Sequence, residues 1–177
     1  MNRTDNITIE ELAEPLTLST DVYLSPEYAK AETENLWPKV WQHVGRLEEI
    51  PNEGDYITYD IAEESILIVR AANEQIKAFY NVCSHRGRQL VDTPQGAHNA
   101  SGKRRLFVCG YHGWRYDLAG KCQHVLDKSD WKCALTDQRT DLTEIKVDTW
   151  GGWIWINLDP GCEPLRAYLE PAAGHLD

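Results

Sequence analysis

The spacing of hydrophobic and polar positions changes once along the chain, close to residue 42. Before that point, Ser25-Pro26-Glu27 has the pattern of a helix start, with a hydroxyl at the N-cap and a proline at the first helical position. The sequence predicts a helix from there to about Trp37, because Pro38 cannot continue it. Its apolar stripe would consist of Tyr28, Leu36, Val40 and Trp41. We therefore assign residues 1–40 to an N-terminal arm and helix.

From residue 42 onward, apolar and β-branched residues alternate with polar ones or form short runs, which is typical of strands. The predicted strands are 44–47, 56–61, 66–69, 76–82, 106–109, 114–117, 121–125, 145–147 and 153–158. Turn-forming residues separate them at 51–54, 62–64, 118–120 and 150–152. Many short strands at close spacing predict a mostly-β fold, an antiparallel sandwich or barrel with a helix near the N-terminus.

The length and the polarity of the chain limit the function classes. A chain of 177 residues is typical of one domain, and its longest apolar runs, 66–69 and 153–156, are too short to cross a bilayer. Residues 1–16 are polar and acidic and do not resemble a secretory signal. We therefore expect a cytoplasmic protein with no membrane partner.

The net charge of −10 argues against a nucleic acid as partner. The charge is unevenly distributed, because residues 83–128 carry eight basic and three acidic side chains, a net charge of +5. The middle of the sequence is thus a basic segment in an acidic protein.

Two short segments bring together the residue types that bind metals. They are Cys83-Ser84-His85-Arg86-Gly87 and Cys109-Gly110-Tyr111-His112-Gly113-Trp114. Each offers one thiolate and one imidazole, each follows a predicted strand, and each is rich in glycine, so we expect two exposed loops. The chain has five cysteines and no export signal, which favours metal binding or free thiols over a disulfide framework.

The mixed spacing of cysteine and histidine distinguishes between two metal centres. Zinc sites of the Cys₂His₂ type pair cysteine with cysteine and histidine with histidine along the chain. In a Rieske [2Fe–2S] centre, two histidines replace two cysteines on one iron. One Cys and one His per loop suits the second arrangement, with Cys83 and Cys109 on one iron and His85 and His112 on the other. Backbone N–H groups also bond cluster sulfurs, so Gly87, Gly110 and Gly113 are expected to allow close approach and unusual φ values.

The stretch 79–87, taken with 109–114, resembles the Rieske domain of the ring-hydroxylating, Rieske non-haem iron oxygenases. Residues 41–45, 51–56 and 150–160 extend this resemblance over about residues 20–165. It implies a Rieske domain over 41–165, with cluster-binding loops at about 83–88 and 109–114. Around the ligands it implies supporting roles for Arg86, Gly87, Gly110, Tyr111, Gly113 and Trp114.

Departures from related patterns sharpen the resemblance. Respiratory Rieske proteins carry two further cysteines that form a disulfide beside the cluster, whereas Arg88 and Tyr111 stand at these positions here. Gly110 replaces the proline that is more frequent in the oxygenases. The resemblance also implies a trimer of α subunits, with or without β subunits, and a ferredoxin or flavin reductase as electron donor.

The oxygenase reaction needs a second site, a mononuclear Fe(II) held by two histidines and a carboxylate. The histidines outside the two loops are His43, His98, His124 and His175, and their spacing builds no such triad. We therefore expect this iron in a catalytic domain missing from the sequence, with residues 166–177 as the start of a linker to it. In that reading the chain passes electrons to an iron that hydroxylates an aromatic or related ring with O₂.

Three alternatives remain at this point. Instead of part of an oxygenase, the chain as a whole could form a stand-alone Rieske-type ferredoxin or a zinc-binding interaction module. The cations Arg86, Arg88, Lys103, Arg104 and Arg105 either are solvated loop charges or form the docking surface for an acidic electron donor. Cys122, Cys133 and Cys162 are interpreted as ordinary thiols.

Overall fold

A computed structural model describes residues 18–126, 128–131 and 135–176, and Cys133 lies outside these ranges. The described residues are organised mainly by antiparallel strands. The ten strands are β1 (Gln42–Arg46), β2 (Asp55–Ile61), β3 (Glu64–Arg70), β4 (Ile76–Tyr80), β5 (Ser101–Lys103), β6 (Phe107–Val108), β7 (Arg115–Tyr116), β8 (Cys122–His124), β9 (Glu144–Trp150) and β10 (Trp153–Asn157). The predicted mostly-β antiparallel fold is confirmed, and β5 is a strand that the sequence pattern did not reveal.

Two sheets share these strands. Seven strands pair in the order β1-β10-β9-β4-β3-β2-β5, and three short strands pair in the order β6-β7-β8. Tight turns connect neighbours in the larger sheet: Ala62 and Glu63 join β2 to β3, and Gly151 and Gly152 join β9 to β10. The smaller sheet contains the residues on both sides of the Cys109 segment.

The helices are short. They are α1 (Asp21–Leu24), α2 (Pro26–Asn35), α3 (Asp137–Thr140), α4 (Leu165–Tyr168) and α5 (Ala172–Leu176). The predicted N-terminal helix is α2, and the Ser25 hydroxyl caps it by accepting a hydrogen bond from the Tyr28 N–H at 3.2 Å. The predicted apolar stripe is wrong, because α2 ends at Asn35 and leaves Leu36, Val40 and Trp41 outside the helix, while Tyr28 within it is 48% exposed. Trp41 is buried, but it follows the helix. None of the helices in the described part is long and apolar enough to cross a membrane.

Both faces of the larger sheet are covered, which explains the uninterrupted apolar run in β3. Leu67 and Val69 point into one core, whereas Ile66 and Ile68 point into the other. The first core consists of Tyr56, Leu67, Val69, Phe79, Cys83, Leu90, Val91, Ala100, Phe107, Cys109, Trp114, Tyr116 and Leu142. The second core lies between β1, β10 and the opposite face of β2 to β4. Only the first core contains residues of the two Cys/His segments.

The fold brings these two segments to the same core. The first follows the end of β4, and the second connects β6 to β7. Asn81, which is fully buried, holds the chain just after the first segment: its side chain accepts hydrogen bonds from the N–H groups of Leu90 and Val91 and donates to the Val91 carbonyl. The first loop is therefore fixed to the sheet at both ends.

Candidate metal centre

The two Cys/His loops share one backbone frame. The Gly87 N–H donates to the Cys83 carbonyl at 2.9 Å, and the Gly113 N–H donates to the Cys109 carbonyl at 3.0 Å. Each cysteine N–H in turn donates to the carbonyl five residues later, at 2.8 Å in both loops. Gly87 and Gly113 have φ values of +69° and +70°, in the left-handed region that favours glycine. The loops differ in where they place histidine, two residues after Cys83 and three after Cys109.

Both cysteines at the start of the loops are buried free thiols. Cys83 and Cys109 are each 2% exposed. The sulfur of Cys83 lies 3.1 Å from the hydroxyl of Tyr116, a fully buried side chain on β7. The same hydroxyl oxygen accepts a hydrogen bond from the Ser84 N–H at 3.2 Å. Since that contact occupies a lone pair of the oxygen, the hydroxyl hydrogen is free to point at the sulfur.

The two histidines meet face to edge. Their ring centroids are 4.5 Å apart at an interplanar angle of 65°. Four buried side-chain nitrogen or oxygen atoms in the described part of the chain have no hydrogen-bond partner, and two of them are Nδ1 of His85 and Nδ1 of His112. Buried polar atoms without partners are rare, and two on neighbouring imidazoles point to a shared ligand.

The protonation preferences of the loop residues suit metal binding. Burial is the main cause that lowers the pKa of His85, and the neighbouring His112 and Arg86 add to it, so its imidazole favours the neutral form, which has a lone pair to offer. Burial raises the pKa of Cys83, and the neighbouring thiol of Cys109 adds to this effect. The Cys83 thiol therefore favours its protonated form, and metal binding would release its proton. Burial, followed by the contact with Cys83, raises the pKa of Tyr116, which keeps the hydroxyl protonated as a donor.

The donors are arranged as two pairs rather than around one point. No group of three or more His, Cys, Asp and Glu side chains within the described ranges is placed to hold a single metal ion. The buried thiols form one pair and the unpartnered Nδ1 atoms form the other. This arrangement suits a group with two metal ions.

Comparison with known proteins decides the family. The family model of the Rieske [2Fe–2S] domain matches residues 40–135, a stretch that contains both loops. The chain belongs to the Rieske [2Fe–2S] domain family. Such a domain holds a [2Fe–2S] cluster, and the two thiols and two imidazole nitrogens described above are the donor set that this cluster needs.

The relatives of this Rieske domain are oxygenase subunits. The carnitine monooxygenase oxygenase subunit of Escherichia coli (strain K12) is 31% identical over 156 residues, which are 88% of this chain and 40% of that protein. The biphenyl dioxygenase subunit alpha of Paraburkholderia xenovorans (strain LB400) is 28% identical over 167 residues, 90% of this chain and 35% of that protein. Among solved structures, the quaternary ammonium Rieske monooxygenase CntA in complex with L-carnitine is similar, with a TM-score of 0.79 and 28% sequence identity. The match covers 90% of this chain and 44% of the CntA chain. The chain thus spans 40% or less of the length of each curated relative named here.

The residues expected to support the Rieske ligands differ in what they do. Trp114 is 2% exposed and stacks on the His85 ring, with centroids 5.0 Å apart and an interplanar angle of 4°. Tyr111 is 60% exposed and contacts the His112 ring at 3.8 Å. Arg86 is exposed beside His85. Gly110 lies outside the left-handed region, so the unusual φ expected there is wrong, whereas Gly87 and Gly113 have it.

The cations of the predicted docking surface are all exposed, but two of them have carboxylate partners. Arg88 forms a bidentate pair with Asp92 at 2.5 and 2.7 Å, and Lys103 pairs with Asp55 at 3.3 Å. Arg104 lies over the ring of Tyr56, 5.6 Å from its centroid. Arg105 is exposed as well. The positive charge of the predicted docking surface is therefore partly compensated.

Three residues at the centre were missed by reasoning from the sequence. They are Tyr116 beside Cys83, Asp141, whose carbonyl accepts from the Ser84 hydroxyl at 2.7 Å, and Trp131 against His85. For Tyr116 a signal existed, because it lies two residues after Trp114 on a strand and therefore shares its face. For the other two, the distance in sequence from the loops leaves no pattern to read.

The remaining histidines, and the remaining cysteines that the structure describes, lie outside the two loops. His43 contacts Trp153 and Trp155 on the larger sheet, and His98, His124 and His175 are exposed. Cys122 is a half-buried free thiol packed against the first core, and Cys162 is a half-buried free thiol.

Proposed function

We propose that this chain is the electron-transfer part of a Rieske-type oxygenase, with its [2Fe–2S] cluster held by Cys83, His85, Cys109 and His112. The observation that carries the assignment of the ligands is the pair of buried Nδ1 atoms without partners, next to a pair of buried thiols. When bound, the cluster supplies reversible one-electron redox chemistry. The similarity to oxygenase subunits over 88–90% of the chain supports the oxygenase reading over a stand-alone ferredoxin.

The protein's own residues hold and shield the ligands. Trp114 packs on one face of His85 and keeps its ring plane fixed, so that Nδ1 stays on the buried side. Both imidazoles are only half-buried as whole residues, and this leaves a short path for an electron between the histidine side and a docked protein. Tyr116 and Ser84 hold the cysteine side of the first loop against the core.

The wider function follows from the relatives. We infer that the mononuclear iron, which would hydroxylate an aromatic or related ring with O₂, belongs to the part of such oxygenases that this chain does not span. Several relatives are named as alpha subunits, and one study of a quaternary ammonium Rieske monooxygenase concerns inter-subunit electron transfer. These names support a multimer, which we propose to be a trimer of α subunits with or without β, reduced by a ferredoxin or flavin reductase in the cytoplasm.

Metal analysis of the purified chain tests the proposal. We expect about two iron and about two acid-labile sulfide ions per chain, a brown colour and the EPR spectrum of a reduced Rieske centre. Cys83→Ser and His112→Gln should lose most of the iron, because each removes a ligand. Cys122→Ser and His124→Gln are the matched controls and should keep it, because both side chains lie outside the two loops.

Two results would contradict the proposal. A colourless chain with one zinc ion would make it a zinc module instead. Full iron content in Cys83→Ser or His112→Gln, with the spectrum unchanged, would show that these residues are not ligands.

A further inference from the structure

The two imidazoles of the centre have unequal surroundings. His85 contacts two indoles: Trp114 stacks on its face, and Trp131 meets it edge-on, with centroids 5.6 Å apart and an interplanar angle of 67°. His112 contacts the exposed Tyr111 and His85 itself. His85 is therefore enclosed on more sides than His112.

Trp131 comes from a part of the chain outside both loops. It follows a short 3₁₀ turn, Lys128–Asp130, more than forty residues after His85. The half-buried indole packs against the first core and contacts Trp114, with centroids 5.8 Å apart at 64°. Trp114 and Trp131 thus form a corner into which the His85 ring fits.

We propose that Trp131 is a positioning residue of the Rieske centre, which excludes water from the outer side of His85 and thereby lowers the reduction potential. The proposal rests on His85 being a ligand, as argued above. An indole at this place replaces water that would otherwise solvate the imidazole edge. The Nδ1 atom of His85, by contrast, lies on the buried side of the ring.

The sign of the effect follows from charge. A centre made of two ferric ions, two sulfides, two thiolates and two neutral imidazoles has no net charge, and it gains one negative charge on reduction. Water stabilises the charged state more than a low-dielectric neighbour does. By excluding water, Trp131 therefore disfavours the reduced state, and its removal should raise the potential.

Redox titration of the loaded chain, followed by EPR, tests this role. Trp131→Ala should raise the midpoint potential and speed the loss of iron to a chelator several-fold. Trp131→Phe keeps an aromatic ring and should lie closer to the unmodified chain on both measurements. Trp153→Ala is the matched control and should change neither, because Trp153 is an exposed indole on β10 that contacts His43 and Trp155.

Midpoint potentials are compared only between proteins that have the same iron content and a Rieske EPR spectrum. An unmodified chain without that spectrum would contradict the ligand assignment, whatever the role of Trp131. An unchanged or lowered potential in Trp131→Ala would overturn the role. If that variant does not retain iron, Trp131→Leu replaces it: a raised potential supports the role, and an unchanged one overturns it.

Discussion

The hydroxyl of Tyr116 and the sulfur of Cys83 lie 3.1 Å apart, although 33 residues separate them in sequence. The Ser84 N–H donates to the same hydroxyl oxygen, which leaves the hydroxyl hydrogen free for the sulfur. The tyrosine thus links the strand after the second loop to the cysteine of the first. The first loop of the centre is therefore held in part by a residue that flanks the second.

Tyr116→Phe should lower the reduction potential of the centre. With the Tyr116 hydroxyl as donor to the sulfur of Cys83, a proposed ligand, the hydrogen bond strengthens when the centre becomes more negative, so the reduced state loses more when the donor is removed. A difference of about 1 kcal/mol corresponds to a shift on the order of 40 mV for one electron. Redox titration measures it, with Tyr59→Phe on the opposite side of the sheet as control. A potential equal to that of the control would contradict the role of the hydroxyl.

Asn81→Ala should destabilise the chain strongly. The buried amide satisfies two backbone N–H groups and one carbonyl in residues 90–91, and alanine would leave all three without a partner and open a cavity. The expected loss in the free energy of unfolding is roughly 3 kcal/mol or more. Urea denaturation measures it. The exposed Asn99→Ala should stay within about 0.5 kcal/mol, and an equal effect of both variants would contradict this explanation.

Features with a local physical cause could be predicted from the sequence. The Ser25 cap, the Gly151-Gly152 turn and the presence of strand β3 all follow from neighbouring residues. Strand β5 could not be predicted, because Ser101–Lys103 is exposed throughout and pairs with β2 through its backbone. The apolar stripe of α2 failed because the helix ends at Asn35, before three of the four stripe residues. Periodicity shows an apolar face but neither where a helix ends nor whether anything packs against that face.

At the centre, spacing revealed the four proposed ligands but not what surrounds them. Both loops place a glycine four residues after the cysteine, and aligning Cys83–Gly87 with Cys109–Gly113 would have revealed their common frame. The contacts of Tyr116 and Trp131 with the first loop join distant parts of the chain. They depend on how the small sheet and the following segment pack on the first core; the alternation of Trp114 and Tyr116 indicates a shared face, but not what that face contacts.

Asp55→Asn should reduce stability in a pH-dependent way. A hydrogen bond from the Asn52 backbone N–H, at 2.8 Å, is the main cause that lowers the pKa of Asp55 from its ordinary value of 3.8, and the Lys103 ammonium contributes. Folding therefore favours the carboxylate, and the unfolded chain binds more protons at acid pH. The stabilisation is fully present above the ordinary pKa and is lost as the pH falls through the lowered value.

The denaturation midpoint of Asp55→Asn should accordingly lie below that of the unmodified chain at pH 7, and the gap should narrow toward pH 3. The exposed Asp60→Asn on the same strand provides the control for the change of charge. A gap of constant size across this range would mean that the carboxylate charge does not stabilise the fold.

Arg104 and Arg105 provide the sharpest test of the proposed docking surface. They are exposed, whereas Arg88 and Lys103 are held by carboxylates, and Arg86 is too close to His85 for a change to leave the centre unaffected. If an acidic donor docks here, Arg104→Gln/Arg105→Gln should slow bimolecular reduction roughly two- to ten-fold at low ionic strength. Stopped-flow reduction by an acidic ferredoxin measures the rate.

The matched control removes the same charge from exposed residues of the N-terminal region, Lys30→Gln/Lys39→Gln. Since the Debye length falls from about 30 Å at 0.01 M salt to about 8 Å at 0.15 M, any difference due to steering should shrink over this range. Both double variants lower the overall charge equally, so only a local docking surface separates them. Equal rates and equal salt dependence in the two would assign Arg104 and Arg105 to solvated loops.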